Sequence, residues 1–187
     1  MSHQKFKPAL LQFTMCLLGS IAVGYAYFGP QIFDHHLTYF QFISFGITAG
    51  IFVAAWPLVS ARWLFLLGIL AYLGFVILAN STTPTRLIRD AVWVLAVIAA
   101  VWTSLRGDRV FPSLKVGKFI IWAAIFAVTH TCALAVLGVI QSVNVNPDFY
   151  LMNAKIGALA GAGIGLGHEL AAVVISRVAK QQQEPYR

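Results

Sequence analysis

Two histidines and a glutamate, His130, His168 and Glu169, are the residues of this chain whose type and setting could do chemistry. Each falls inside a long apolar run. On insertion scales a charged Asp, Lys or Arg in such a place costs about 2.5–3.5 kcal/mol, so a group retained there needs a partner or a task. Imidazole and carboxyl groups that meet in a low dielectric can pass a proton, hold a solute or glue two helices. Two imidazoles at equal depth can also ligate a b-type haem. Hydrolase chemistry finds no support. Leu170, Ala171 and Ala172 follow Glu169, so there is no H-E-x-x-H, and no G-x-S-x-G occurs.

The run that carries His168 and Glu169 is rich in glycine. Gly157, Gly161 and Gly165 recur every four residues and form one stripe of a helix, which His168 and Ala172 continue. Such stripes let helix backbones approach closely, and a bare backbone also leaves space for a flat ligand. Gly46 and Gly50, four apart in an earlier run, are the expected facing surface. Arg89 and Asp90 are adjacent charges at the start of another run and are expected to form an interfacial ion pair. His35 and His36 lie in a loop and lack a third ligand that would make a metal site. The two cysteines, Cys16 and Cys132, sit inside apolar runs and define neither a disulfide framework nor a metal spacing.

Composition sets the medium in which these groups work. Of 187 residues, 59% are hydrophobic and 10% charged, with a mean hydropathy of +0.80. Soluble domains carry about 25% charged residues, so this chain has too little polar surface for a water-soluble globule. The excess of 13 Lys and Arg over 6 Asp and Glu does not indicate nucleic acid, because the basic residues sit in short loops beside apolar runs.

Six runs are long enough to be spans, at about 9–28, 40–60, 63–80, 87–105, 119–140 and 156–177. The expected fold is therefore an all-α integral membrane protein, a six-transmembrane-helix bundle in one domain. The first run has a basic lead and also resembles a secretory signal, with residues 24–26 as a cleavage site, but its length and distal aromatics favour a retained helix. Residues 61–62 form so tight a connection that the second and third spans must be antiparallel neighbours. Residues 80–82 match a glycosylation sequon that abuts the bilayer. The segment 141–153 reads as a polar loop with one proline.

With six spans both termini share a side. Lys5, Lys7, Arg62, Arg106, Arg109, Lys115, Lys118, Arg177, Lys180 and Arg187 lie there, against Arg86, Arg89 and Lys155 opposite. Ten basic residues against three place both termini in the cytoplasm of a bacterial-type inner membrane. Trp56, Trp63, Trp102 and Trp122 mark the inner interface, and Trp93, Tyr27, Tyr39 and Tyr150 the outer one.

Depth follows from the spans. At 1.5 Å per residue His130 falls within ~1 Å of the midplane, and His168 and Glu169 ~3–5 Å to its cytoplasmic side. Three readings result. In the first, the trio converges as the centre of a transport-linked protein, either a solute or proton pathway or a substrate-binding membrane subunit. In the second, the chain is a structural or assembly subunit that docks other membrane subunits, or copies of itself, through its glycines. In the third it binds haem b or a quinone, with His130 and His168 as axial ligands, and then their helices cannot also be in close contact.

Overall fold

The structure, a computed structural model, describes residues 3–29, 36–58, 61–78, 83–110, 117–142 and 144–183. Asp34, His35, residues 80–82, Lys115 and Arg187 lie outside the described residues, as do the side chains of Lys5, His36, Tyr39, Arg62 and Arg109. The described chain is all-helical, with α1 His3–Phe28, α2 His36–Ala55, α3 Ala61–Leu78, α4 Pro84–Val110, α5 Lys118–Ile140 and α6 Pro147–Gln183. Four of these, α1, α4, α5 and α6, are long and apolar enough to cross a membrane.

The helix ends follow local rules. α1 stops at Gly29, whose φ of 59° is a left-handed conformation that a side chain would disfavour, and whose N–H bonds Tyr25 O at 2.7 Å. α6 begins inside the segment expected to be a polar loop. Asn146 Oδ1 accepts the Asp148 N–H at 3.0 Å, Pro147 fills the first helical position, and Asp148 puts an acid in the first turn. Cap, proline and acid are all helix-start signals. The expected loop 141–153 therefore shrinks, and Asn153 is helical, donating to Phe149 O at 2.9 Å.

The helices of the pairs α1–α2, α3–α4, α4–α5 and α5–α6 run antiparallel. α6 is the centre: it packs against α5 on one side and α1 on another, while α1 and α5 do not touch among the described residues. α2 lies across α1 and also reaches α4 and α6, and α4 lies along α5. α3 is peripheral and rests on α4 and α2. The core contains Phe42, Phe45, Val97, Trp122, Phe126 and Ile164, all buried.

Backbone proximity explains the pattern of glycines in α6. A Cβ on Gly157 would lie 2.6 Å from Phe126 O, and one on Gly161 would lie 2.5 Å from Trp122 O. At Gly165 it would meet Phe119 Cα at 2.9 Å. The other glycine face of α6 meets α1, where Gly163 lies against Gly19 backbone and Gly167 against Met15 O. Gly46 and Gly50 do not face the Gly157 stripe. Gly46 meets Leu17 and Ser20, and Gly50 meets Phe13, so this pair seats α2 on α1.

Candidate functional site

The middle of α5 concentrates polar side chains, and its own backbone satisfies most of them. Thr129 Oγ1 donates to Ile125 O at 2.9 Å, and Thr131 Oγ1 donates to Ala127 O at 2.8 Å. His130 Nδ1 lies 2.8 Å from Phe126 O. A carbonyl can only accept, so Nδ1 carries the proton, and in the neutral ring Nε2 is then a bare acceptor. His130 is 1% exposed and its Nε2 has no hydrogen-bond partner among the described residues. Its surroundings are aromatic: Phe45 edge-on at 4.5 Å, Trp93 at 5.4 Å and Phe126 stacked at 5.9 Å between centroids.

The three candidates do not converge. The antiparallel register set by Gly157, Gly161 and Gly165 places His130 level with Gly157. His168 and Glu169 follow Gly157 by eleven and twelve residues, which is ~16–18 Å along the axis rather than the expected ~3–5 Å. His168 lies beside Trp122 at 5.5 Å, and the stacked rings of Trp122 and Phe126 stand between the two imidazoles. The difference has a plain cause. The expected depths assume that the centres of the two helices lie level, whereas the glycine contacts set His130, near the middle of α5, against Gly157, eight residues before the middle of α6.

Glu169 has an identifiable occupation at this level. Its Oε1 accepts the Phe119 N–H at 3.0 Å, in the first turn of α5. The N-cap of α5 is Gly117, which supplies no side-chain acceptor. The first four N–H groups of a helix lack intrahelical partners and carry the positive end of its dipole, so a carboxylate from the neighbouring helix satisfies both needs.

A haem bridged by His130 and His168 does not fit these residues. Their helices are in backbone contact at Gly157 and Gly161, and two aromatic rings fill the space between the imidazoles. The glycine faces of α6 are covered by α5 and α1 within the chain, so docking of another subunit would use a different surface. Arg89 and Asp90 do pair, with Nη2 2.9 Å from Oδ1. Asp90 is 0% exposed while Arg89 is 40% exposed, so the carboxylate turns into the bundle. Among the described residues no group of three or more His, Cys, Asp or Glu could hold a metal ion.

A cavity lies elsewhere in the bundle. Between α2, α3 and α4 lies a partly open cavity of about 390 Å³, lined by Phe52, Trp56, Gly68, Tyr72, Val94, Trp102 and apolar neighbours. Tyr72 donates its hydroxyl to Leu87 O at 3.2 Å, which leaves an apolar ring toward the space. At one end Trp56 and Trp102 meet edge to face at 4.8 Å, and the Arg106 guanidinium sits 4.6 Å over the Trp102 ring. By sequence alone Trp56, Trp102 and Arg106 mark an interface and nothing more. The spacing of four between Trp102 and Arg106 on a helix was the one signal that these two would meet.

Compared with known protein families, characterised proteins and solved structures, the chain matches none of them.

Proposed function

We propose that the chain is a six-crossing inner-membrane protein with both termini cytoplasmic, and that it is transport-linked as a binding subunit. Its ligand is an apolar or amphiphilic small molecule lodged between α2, α3 and α4. The cavity there carries this reading: about 390 Å³ falls in the range of ~300–1,000 Å³ typical of ligand sites, and apolar side chains line it. α4, which packs along α5, supplies most of the lining, and the peripheral α3 supplies Gly68, Ile69 and Tyr72.

Several features support the topology. Besides the four long helices, α2 and α3 have 20 and 18 residues. At 1.5 Å per residue these reach ~30 and ~27 Å, close to the ~30 Å hydrocarbon core. Lys7, Arg106, Lys118, Arg177 and Lys180 fall at the helix ends that the up-and-down order brings to one side. Single cysteines at Lys7 and Lys180, in a background lacking Cys16 and Cys132, should react with an impermeant thiol reagent only after the cytoplasmic face is opened. Labelling from the outside would reverse the orientation.

For the binding role, protein purified in mild detergent should carry a near-stoichiometric lipid-like molecule on extraction and mass spectrometry. Ala91→Phe, which fills the cavity wall, should lose it. Equal recovery from both proteins would remove the reading.

A second reading keeps the notion of a polar centre but reduces it to His130. The orphan Nε2 acceptor favours it, since an unsatisfied buried group costs about 1–3 kcal/mol and its retention calls for a reason. In that case His130→Phe should abolish proton or solute flux in proteoliposomes. Unchanged flux would leave His130 as a packing residue.

A further inference from the structure

We propose that the α2–α3–α4 cavity takes one acyl chain of an anionic glycerophospholipid from the cytoplasmic leaflet, with its phosphate held by Arg106. The proposal rests on the binding reading above and names the class of occupant.

The shape of the site argues for a chain. On α4 the lining residues Ala91, Val94, Ile98, Val101 and Trp102 recur at spacings of three and four, so they form one continuous face. From 91 to 102 that face is ~16 Å long, the length of most of an extended acyl chain, and it runs from the Trp102 end past the middle of the 87–105 run. A groove of that length and chemistry suits a single acyl chain. A polar solute would leave its hydrogen bonds unmade there.

The end of the groove argues for the head. Trp56 and Trp102 close it, and indole rings favour the membrane–water boundary. One turn beyond Trp102, exposed Arg106 stacks its guanidinium over the indole. Stacking orients the guanidinium plane yet leaves its N–H groups for bidentate contact with phosphate oxygens. The sequence of apolar groove, aromatic rim and cation reproduces, in order, the chain, glycerol and phosphate of an inner-leaflet lipid.

The test uses the full chain in nanodiscs that contain phosphatidylglycerol and phosphatidylcholine, with retained lipid counted by native mass spectrometry after gentle release. Wild type should retain phosphatidylglycerol over phosphatidylcholine by about fivefold, the factor equivalent to ~1 kcal/mol for one basic residue at a membrane surface. Arg106→Gln should keep one bound lipid but lose the preference. Lys180→Gln, a basic residue removed from the cavity, should keep the preference. An Arg106→Gln protein that still selects phosphatidylglycerol overturns the headgroup assignment and leaves the cavity reading standing. Retention of lipid by Ala91→Phe overturns both. If circular dichroism shows Ala91→Phe misfolded, Ile98→Phe makes the same test from about two turns further along α4.

Discussion

Placing one methyl group on Gly161 tests the arrangement that holds the bundle together. A Cβ there would lie 2.5 Å from Trp122 O and 2.7 Å from Phe126 Cβ, where ordinary contact begins near 3.4 Å. The obstacle is backbone and cannot rotate away, so α5 and α6 must separate by about 1 Å. Gaps of 0.5–1 Å already forfeit a quarter to a half of each dispersion contact along the interface. Overpacking of this kind costs about 1–3 kcal/mol. Ala also raises helix propensity by up to ~1 kcal/mol over Gly, which confounds the variant taken alone. Gly74→Ala supplies the control, because a Cβ on Gly74 meets nothing within 4 Å among the described residues and the propensity gain is the same. The difference between the two variants is then the packing penalty, about 1–3 kcal/mol. For a chain of this size 1 kcal/mol moves Tm by about 2–4 °C, so Gly161→Ala should melt roughly 2–12 °C below Gly74→Ala in matched detergent. Equal melting of the two proteins would show that α5 and α6 are not in backbone contact at Gly161.

Three further outcomes follow from the same contacts. Glu169→Ala removes the acceptor at the start of α5 and should destabilise by about 0.5–2 kcal/mol, whereas Glu169→Gln keeps an acceptor and should recover most of that loss in thermal melts. His130→Phe preserves the ring stack on Phe126 while deleting both a backbone bond and the orphan Nε2, so stability should change by no more than about 1 kcal/mol. A loss several times larger would mean that Nε2 is engaged by a strong donor. Asn146→Ala removes the N-cap of α6 and should cost about 1 kcal/mol, with protection lost first at the amides of residues 148–151 on hydrogen exchange.

Much of the helical plan was legible in the chain because the solvent imposes it. Runs that lack charges and reach bilayer length must close their backbone hydrogen bonds internally, and helices are the direct way to do so. The glycines were legible too as places where something comes close. Which surface they face was not. Gly46 and Gly50 have the same four-residue spacing as Gly157 and Gly161, yet they receive α1 through Leu17, Ser20 and Phe13, while the latter pair receives α5. Spacing along one helix specifies a face and carries no information about the neighbour.

The candidate centre shows the same limit. Hydropathy alone identified His130, His168 and Glu169 as costly, since that property belongs to each residue and its flanks. Their separation depends on the register between α5 and α6, which the close glycine contacts determine and which does not enter a hydropathy window. Once the register is set, Glu169 falls at the first turn of α5 and takes up an unpaired N–H instead of joining an imidazole. The cavity was wholly a product of tertiary structure, for it is bounded by three helices and exists only where the peripheral α3 leans on α4. Sequence determined which segments are helical and apolar enough to be compatible with a membrane, because both follow from the balance of apolar and charged groups along the chain. Which side chains meet, and where space is left over, was decided by how those helices slide and tilt against one another.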